Sequence, residues 1–285
     1  MLNKKQLAGD AIVKALQIRK KLNLAYDESV SAIDASEQLG IEVRLTDLPS
    51  MEGMYVAGKK PTIVLSCLRP QGRRNFTCAH EIGHHVMGHG EQFDELIKEK
   101  SFARSTDPKE FQADSFAAFF LMPKVTLENG MKQRGYSYGT LDPMQVFTLS
   151  TWLGVGYTSL INHLVHGLGM ISRSKGELLS KVQPRDIRKQ LLGNSDMPHL
   201  VLVDQFWKGR AIDCEVGDYI IFPQNSTLEG RERLYVESGT NGLVAHALAP
   251  GLARVSNDSW SSFIRISPAR YTGRGCYRFE EEVEE

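Results

Sequence analysis

Only four cysteines occur in 285 residues, and no two form a C-x-x-C pair, so the chain has no sign of a disulfide-stapled secreted fold. Cys67, Cys78, Cys214 and Cys276 signal neither a structural zinc knuckle nor a thioredoxin-type redox pair, and reduced thiols are expected. Charge of one sign is missing too. Lys plus Arg and Asp plus Glu stand at 34 each, so no global field draws the chain to nucleic acid or an anionic membrane. No apolar run reaches the ~18 residues that a spanning helix requires. The first residues carry Lys4, Lys5, Asp10 and Lys14 between apolar positions, which suits an amphipathic helix and not a signal peptide. A soluble, cytoplasmic chain with no membrane partner is the expectation. At 285 residues it has room for one large domain or two to three small ones, with ample core.

Against these absences stands His80-Glu81-Ile82-Gly83-His84, which spells H-E-x-x-H. On a helix, i and i+4 share one face a turn apart, so the two imidazoles can grip a single tetrahedral ion. Glu81 sits one step round, beside the metal, where a carboxylate can act as general base toward water. With eight histidines in the chain, five such residues arise by chance in ~1 chain in 100, so context must decide. The helix itself is well supported. Phe76, Ala79, Ile82, Gly83 and Val86 form an apolar stripe at helical spacing, no proline interrupts Phe76 to Met87, and Gly88 and Gly90 follow where a helix stops.

A catalytic zinc usually has three protein ligands. His85 projects about 100° away from His84 on a helix. The H-E-x-x-H-x-x-G-x-x-H arrangement would need glycine at 87 and histidine at 90, where this chain has Met87 and Gly90, with His89 one residue early. Both histidines are therefore read as solvated or structural. Downstream, Asp107-Pro108 opens a second helix that Pro123 closes, with Phe116, Ala117, Phe120 and Leu121 at helical spacing. Glu110 and Asp114 are i and i+4 on it, so two acids share one face. One carboxylate can bind zinc while the other fixes the tautomer of a ligand histidine; equally, both suit a solvated helix start.

The run Arg74-Asn75-Phe76-Thr77-Cys78-Ala79-His80-Glu81-Ile82-Gly83-His84, followed by E-x-x-A-D-x-F-A-A-x-x-L-M-P from Glu110 to Pro123, resembles the ImmA/IrrE metallo-endopeptidases. Gly53-Met54-Tyr55 and the strand Thr62 to Leu65 are similar to that family's lead-in, and the likeness is good from about Ala32 to Pro123 and weaker to about His166. The resemblance implies zinc ligated by His80, His84 and Glu110, Glu81 as catalytic base, and Asp114 behind a ligand, expected to be His80. Gln112 departs from the acid found in many members, at a position that is not a ligand. The resemblance also implies a protein substrate, a helix-turn-helix repressor whose cleavage releases stress or mobile-element genes.

The rest of the chain reads in outline as α+β, with a zincin-like metallopeptidase domain (1–135) holding a small β-sheet. A helical, helix-turn-helix-like segment (136–192) and a β-rich C-terminal domain (193–285) follow. Helices are predicted over Lys4 to Leu22, Ser29 to Leu39, Val125 to Gly135 and Pro184 to Leu192. Strands are predicted over Ile41 to Leu45, Tyr55 to Ala57 and Thr62 to Ser66, the last two as a hairpin. The strand just before the metal helix is expected to offer an open edge to an extended substrate. Asp142 to Ser150 and Tyr157 to His166 flank a Leu153-Gly154-Val155-Gly156 turn. The second of these has no lysine or arginine for phosphate contacts, so packing is preferred to DNA binding there. A DNA-binding regulator with a structural or vestigial metal site is the alternative function.

Tyr136, Tyr138, His163 and His166 are candidates to stabilise an oxyanion, with a packed or solvated role the expectation for each. From Leu200, short strands at Leu200 to Val203, Tyr219 to Phe222, Arg233 to Val236, Leu243 to Leu248 and Phe263 to Ile266 suggest a small barrel or sandwich. Gly193 to Asp196 reads as a linker and Glu280 to Glu285 as a solvated tail.

Overall fold

The computed structural model of the chain describes residues 3–25, 27–90, 92–95, 107–193, 199–207 and 210–280. Most of the predicted linker and tail lies outside them. Two helices come first, α1 (Lys4–Lys21) and α2 (Ala32–Gln38). Each is capped by a side chain, Asn3 accepting from the Gln6 amide and Ser31 from the Asp34 amide. Strands β1 (Glu42–Thr46), β2 (Met51–Val56) and β3 (Thr62–Ser66) lead to α3 (Gln71–Met87), the H-E-x-x-H helix, after which β4 (Gln92–Glu95) returns to the sheet. Helices α4 (Pro108–Leu121), α5 (Lys124–Gln133), α6 (Pro143–Leu153), α7 (Tyr157–Asn162), α8 (Arg173–Ser180) and α9 (Pro184–Leu192) follow. A π-helical turn, His163–Gly167, extends α7.

The C-terminal third is strand-rich: β5 (Leu200–Leu202), β6 (Ile212–Glu215), β7 (Tyr219–Phe222), β8 (Thr227–Glu229), β9 (Leu234–Gly239), β10 (Gly242–Ala247), β11 (Gly251–Ser256), β12 (Ser261–Ser267) and β13 (Gly273–Arg274). Among the described residues three sheets result, in the orders β13-β1-β3-β2-β4, β5-β7-β10-β9 and β6-β12-β11-β8. The protein is thus a mixed α+β molecule.

One expectation is overturned by the first sheet. β3 was to offer an open edge beside the metal helix, yet it is held on both sides, parallel to β1 and antiparallel to β2. Among the described strands the edge on that flank is β4, which pairs with β2. The other edge is β13, which comes from the far end of the chain and pairs Arg274 with Arg44.

Ion pairs also join the C-terminal third to the helices beneath the sheet. Arg265 and Arg278 reach Asp34 of α2 at 2.8 and 2.6 Å, and Arg74 of α3 pairs with Glu215 of β6. Arg134 grips Asp204 through two nitrogens at 2.6 and 3.0 Å.

What brings α4 onto α3 is the absence of a side chain at Gly83. A Cβ there would stand 3.1 Å from Ala113 Cα and 3.2 Å from the Phe116 ring, so any larger residue would push the two backbones apart by a few tenths of an ångström. Ala113, Phe116, Ala117 and Phe120 fill the contact and are fully buried. Asp107 caps α4 through the Lys109 amide, Pro108 takes the first turn, and Glu110 is thereby set in that turn opposite the two histidines.

Candidate metal centre

Along α3 the apolar stripe turns Cys78, Ala79 and Ile82 into the core, all fully buried. His80 and His84 lie one turn apart on the neighbouring face, with Nε2 atoms 2.9 Å from each other. The Glu110 carboxylate approaches both, Oε2 at 3.5 Å from His80 Nε2 and Oε1 at 3.5 Å from His84 Nε2. One donor atom from each of the three residues falls within 4.8 Å of the others. No other such group of His, Cys, Asp or Glu occurs among the described residues.

Two imidazole nitrogens and a carboxylate facing one point are the donor set of a His2Glu zinc centre, with the fourth position left for water or substrate. The residues therefore fit a zinc ion. Behind them, Asp114 Oδ1 lies 2.9 Å from His80 Nδ1. That contact places the His80 proton on Nδ1 and leaves the Nε2 lone pair toward the metal position.

Electrostatics within the cluster differ sharply between the two rings. Burial opposes a charge on His80, but the hydrogen bonds it donates to Asp114 and Glu110 and the charges of Asp114 and Glu81 more than offset it, so its pKa rises well above the ordinary histidine value. His84 goes the other way, pushed down to about 3 by burial and then by the neighbouring His80.

Glu81 is fully buried beside this cluster. The strand that covers it is β2, and its closest approach is at Gly53. A Cβ at 53 would sit 3.0 Å from Glu81 Oε1 and collide outright with Thr77 Cγ2. Glycine at 53 thus leaves room for the sheet to lie against this face of α3, a role the sequence alone did not disclose.

Residues 36–164 match the peptidase M78 family, described as the IrrE N-terminal-like domain. This segment is an ImmA/IrrE-family domain. The match covers the whole first sheet except β13, together with α3 to α7. The matched family is one of metallopeptidases, and His80, His84 and Glu110 form a cluster able to bind a metal ion. No curated protein matches the chain. A solved structure of a Mycobacterium tuberculosis transcriptional regulator is similar at 14% identity and a TM-score of 0.37, over 57% of this chain and 52% of that one. The chain thus spans about half the length of that relative.

Other histidines and tyrosines singled out by the sequence are placed as follows. His85 stays outside the cluster, its Nδ1 2.7 Å from the hydroxyl of buried Tyr55. His163 is buried behind the Phe119 ring and donates Nε2–H to the Met122 carbonyl at 2.9 Å. Tyr136 faces Thr148 and Asp204, while His166 is exposed. His85, His163 and Tyr136 thus have Tyr55, Met122 and Thr148 among their partners.

His89 is different. Half-buried, it lies against His84, and this sequence reasoning had missed.

Proposed function

We propose that the chain is a zinc-dependent endopeptidase of zincin-like architecture, in which His80, His84 and Glu110 hold the metal and Glu81 is the general base. The observation that carries the reading is the convergence of two imidazoles and a glutamate from separate helices, with a fully buried second glutamate beside them. A merely structural site has no use for that second acid.

When bound, the zinc ion supplies Lewis acidity, which acidifies water and polarises the scissile carbonyl. Glu81 takes the proton from the attacking water and later delivers it to the leaving amine. Asp114 holds the His80 ring in register.

For substrate we propose a helix-turn-helix repressor, on the family resemblance, with derepression of stress or mobile-element genes as the outcome. A cytoplasmic setting suits the four free thiols. Among the described residues no helix is long and apolar enough to cross a membrane. The DNA-binding alternative gains nothing from the packing of its turn. Asn75 Nδ2 of α3 donates to the Gly154 carbonyl at 2.9 Å, and a Cβ on Gly72 would meet the Val155 carbonyl at 2.9 Å. The α6–α7 turn is therefore packed against the start of the metal helix.

The test is to measure zinc content and cleavage of candidate repressors, beginning with any encoded beside this gene, for the parent and for Glu81→Gln. The variant should keep its zinc and lose ~10²- to 10⁴-fold in rate. Undiminished cleavage would remove Glu81 as base. A parent that cleaves nothing yet shifts operator DNA would replace the peptidase by a regulator.

A further inference from the structure

The turn that ends α3 sends one more residue back to the metal face. Gly88 adopts a left-handed conformation with φ 71°, and its amide donates to the His85 carbonyl at 3.2 Å. The His89 amide donates to the His84 carbonyl at 3.1 Å. These two bonds make a Schellman motif, with Gly88 at C′, His89 at C″ and His84 at C3. In this motif the C″ side chain folds back onto C3, usually as an apolar contact. Here both positions are histidine, and the contact is polar: His89 Nδ1 lies 2.9 Å from His84 Nδ1. On its far side His89 Nε2 lies 3.3 Å from Gln112 Oε1, on the helix that carries Glu110. The backbone at 89 is pinned as well, since Lys109 Nζ donates to its carbonyl at 2.9 Å.

We propose that His89 is a positioning residue for the metal, a neutral relay that fixes the tautomer and orientation of His84. The proposal rests on the metal reading above and extends it to a second ligand. If His84 uses its Nε2 lone pair as a ligand atom, its proton must sit on Nδ1. That N–H can only donate, so His89 Nδ1 must be the acceptor and His89 must carry its own proton on Nε2. The Nε2–H then donates to the Gln112 carbonyl oxygen, which can only accept.

His84 Nδ1, both ring nitrogens of His89 and the Gln112 side-chain oxygen are thus used in one consistent sense. The arrangement parallels that of Asp114 on His80 but is uncharged throughout. One ligand histidine is backed by a carboxylate and the other by an imidazole. Gln112, at a place where an acid would have put a negative charge, keeps the second relay neutral.

Zinc affinity by competition with a chromophoric chelator, on the full chain, separates this from a purely structural cap. His89→Asn places Oδ1 where His89 has Nδ1 and keeps the acceptor, whereas His89→Leu is similar in shape and has none. The Leu variant should bind zinc ~10- to 100-fold more weakly, as loss of an outer partner typically does, and the Asn variant within ~3-fold of the parent. A structural role predicts the reverse order, because leucine at C″ supplies the usual apolar contact of the motif. Leu binding as tightly as the parent, or Asn as weakly as Leu, overturns the relay.

Should the Leu variant fail to fold, long-range proton–nitrogen NMR on the zinc-loaded parent reads the same point. The relay requires the proton on Nδ1 of His84 and on Nε2 of His89, and the opposite tautomer at His89 refutes it. A parent that binds no zinc instead refutes the metal reading from which the relay starts.

Discussion

Gly53→Ala puts the packing of the sheet on the metal helix to a direct test. The φ of Gly53 lies outside the left-handed region, so alanine suits the backbone and its effect is steric alone. The added methyl collides with Thr77 Cγ2 and meets Glu81 Oε1 at 3.0 Å and Leu65 Cδ2 at 3.4 Å. Relief to an ordinary carbon–carbon separation of ~3.5 Å or more needs β2 or α3 to shift by on the order of 1 Å. Overpacking of this kind costs about 1–3 kcal/mol, or a fall in Tm of roughly 2–12 °C for a chain of this size.

Replacing Thr77 by serine removes the colliding methyl. Thermal melts of Gly53→Ala, Thr77→Ser and the double variant should therefore show a favourable coupling of at least ~1 kcal/mol. The contact with Glu81 survives in the double variant. Its stability should recover while peptidase activity stays down by ~10-fold or more, because small displacements of a catalytic group are costly. A Gly53→Ala protein as stable as the parent, or a cycle with no coupling, would refute this account of how the sheet seats on α3.

Glu110→Ala should cost zinc affinity by more than the ~10- to 100-fold loss expected of an outer partner, with little change in metal-free melting, because the residue sits partly exposed in a first helical turn. Unchanged zinc binding in chelator competition would strike Glu110 from the ligand set. His163→Gln keeps an N–H for the Met122 carbonyl but cannot titrate. Burial pushes the His163 pKa from 6.5 down to about 4, so the unfolded chain binds a proton more readily than the fold does. The stabilisation is complete above pH 6.5 and fades as pH falls toward 4, by about 3 kcal/mol at most. Melting curves of parent and Gln variant should converge across that window as pH drops, and parallel pH profiles would contradict it.

Much of this molecule is local and could be read locally. The Pro184–Leu192 and Tyr219–Phe222 elements fall on their predicted bounds, because proline at a helix start and an unbroken apolar strand are chemistry of neighbouring residues. The elements missed were α8, with Gly176 in its interior, and the strands β4, β6, β8, β11 and β13, of which β8 has three residues and β13 two. Strands this short take their stability from the strands beside them and leave little periodicity to read.

What the sequence determined by itself was the donor chemistry. A helix with 3.6 residues per turn makes His80 and His84 neighbours wherever it lies, and the spacing of Glu110 and Asp114 does the same on α4. That those two faces meet was decided by tertiary packing, through the missing side chain at Gly83 and the buried residues of α4. His89 lay between the two cases. On a continued helix its side chain would point elsewhere, and the left-handed turn at Gly88 returns it to His84. The edge of the sheet was settled by chain-long pairing alone, since β4 and a strand from residues 273–274 take the two outer places and leave β3 in the middle. Hydrogen bonding between strands depends on which segments arrive beside one another, and no window of sequence contains that information.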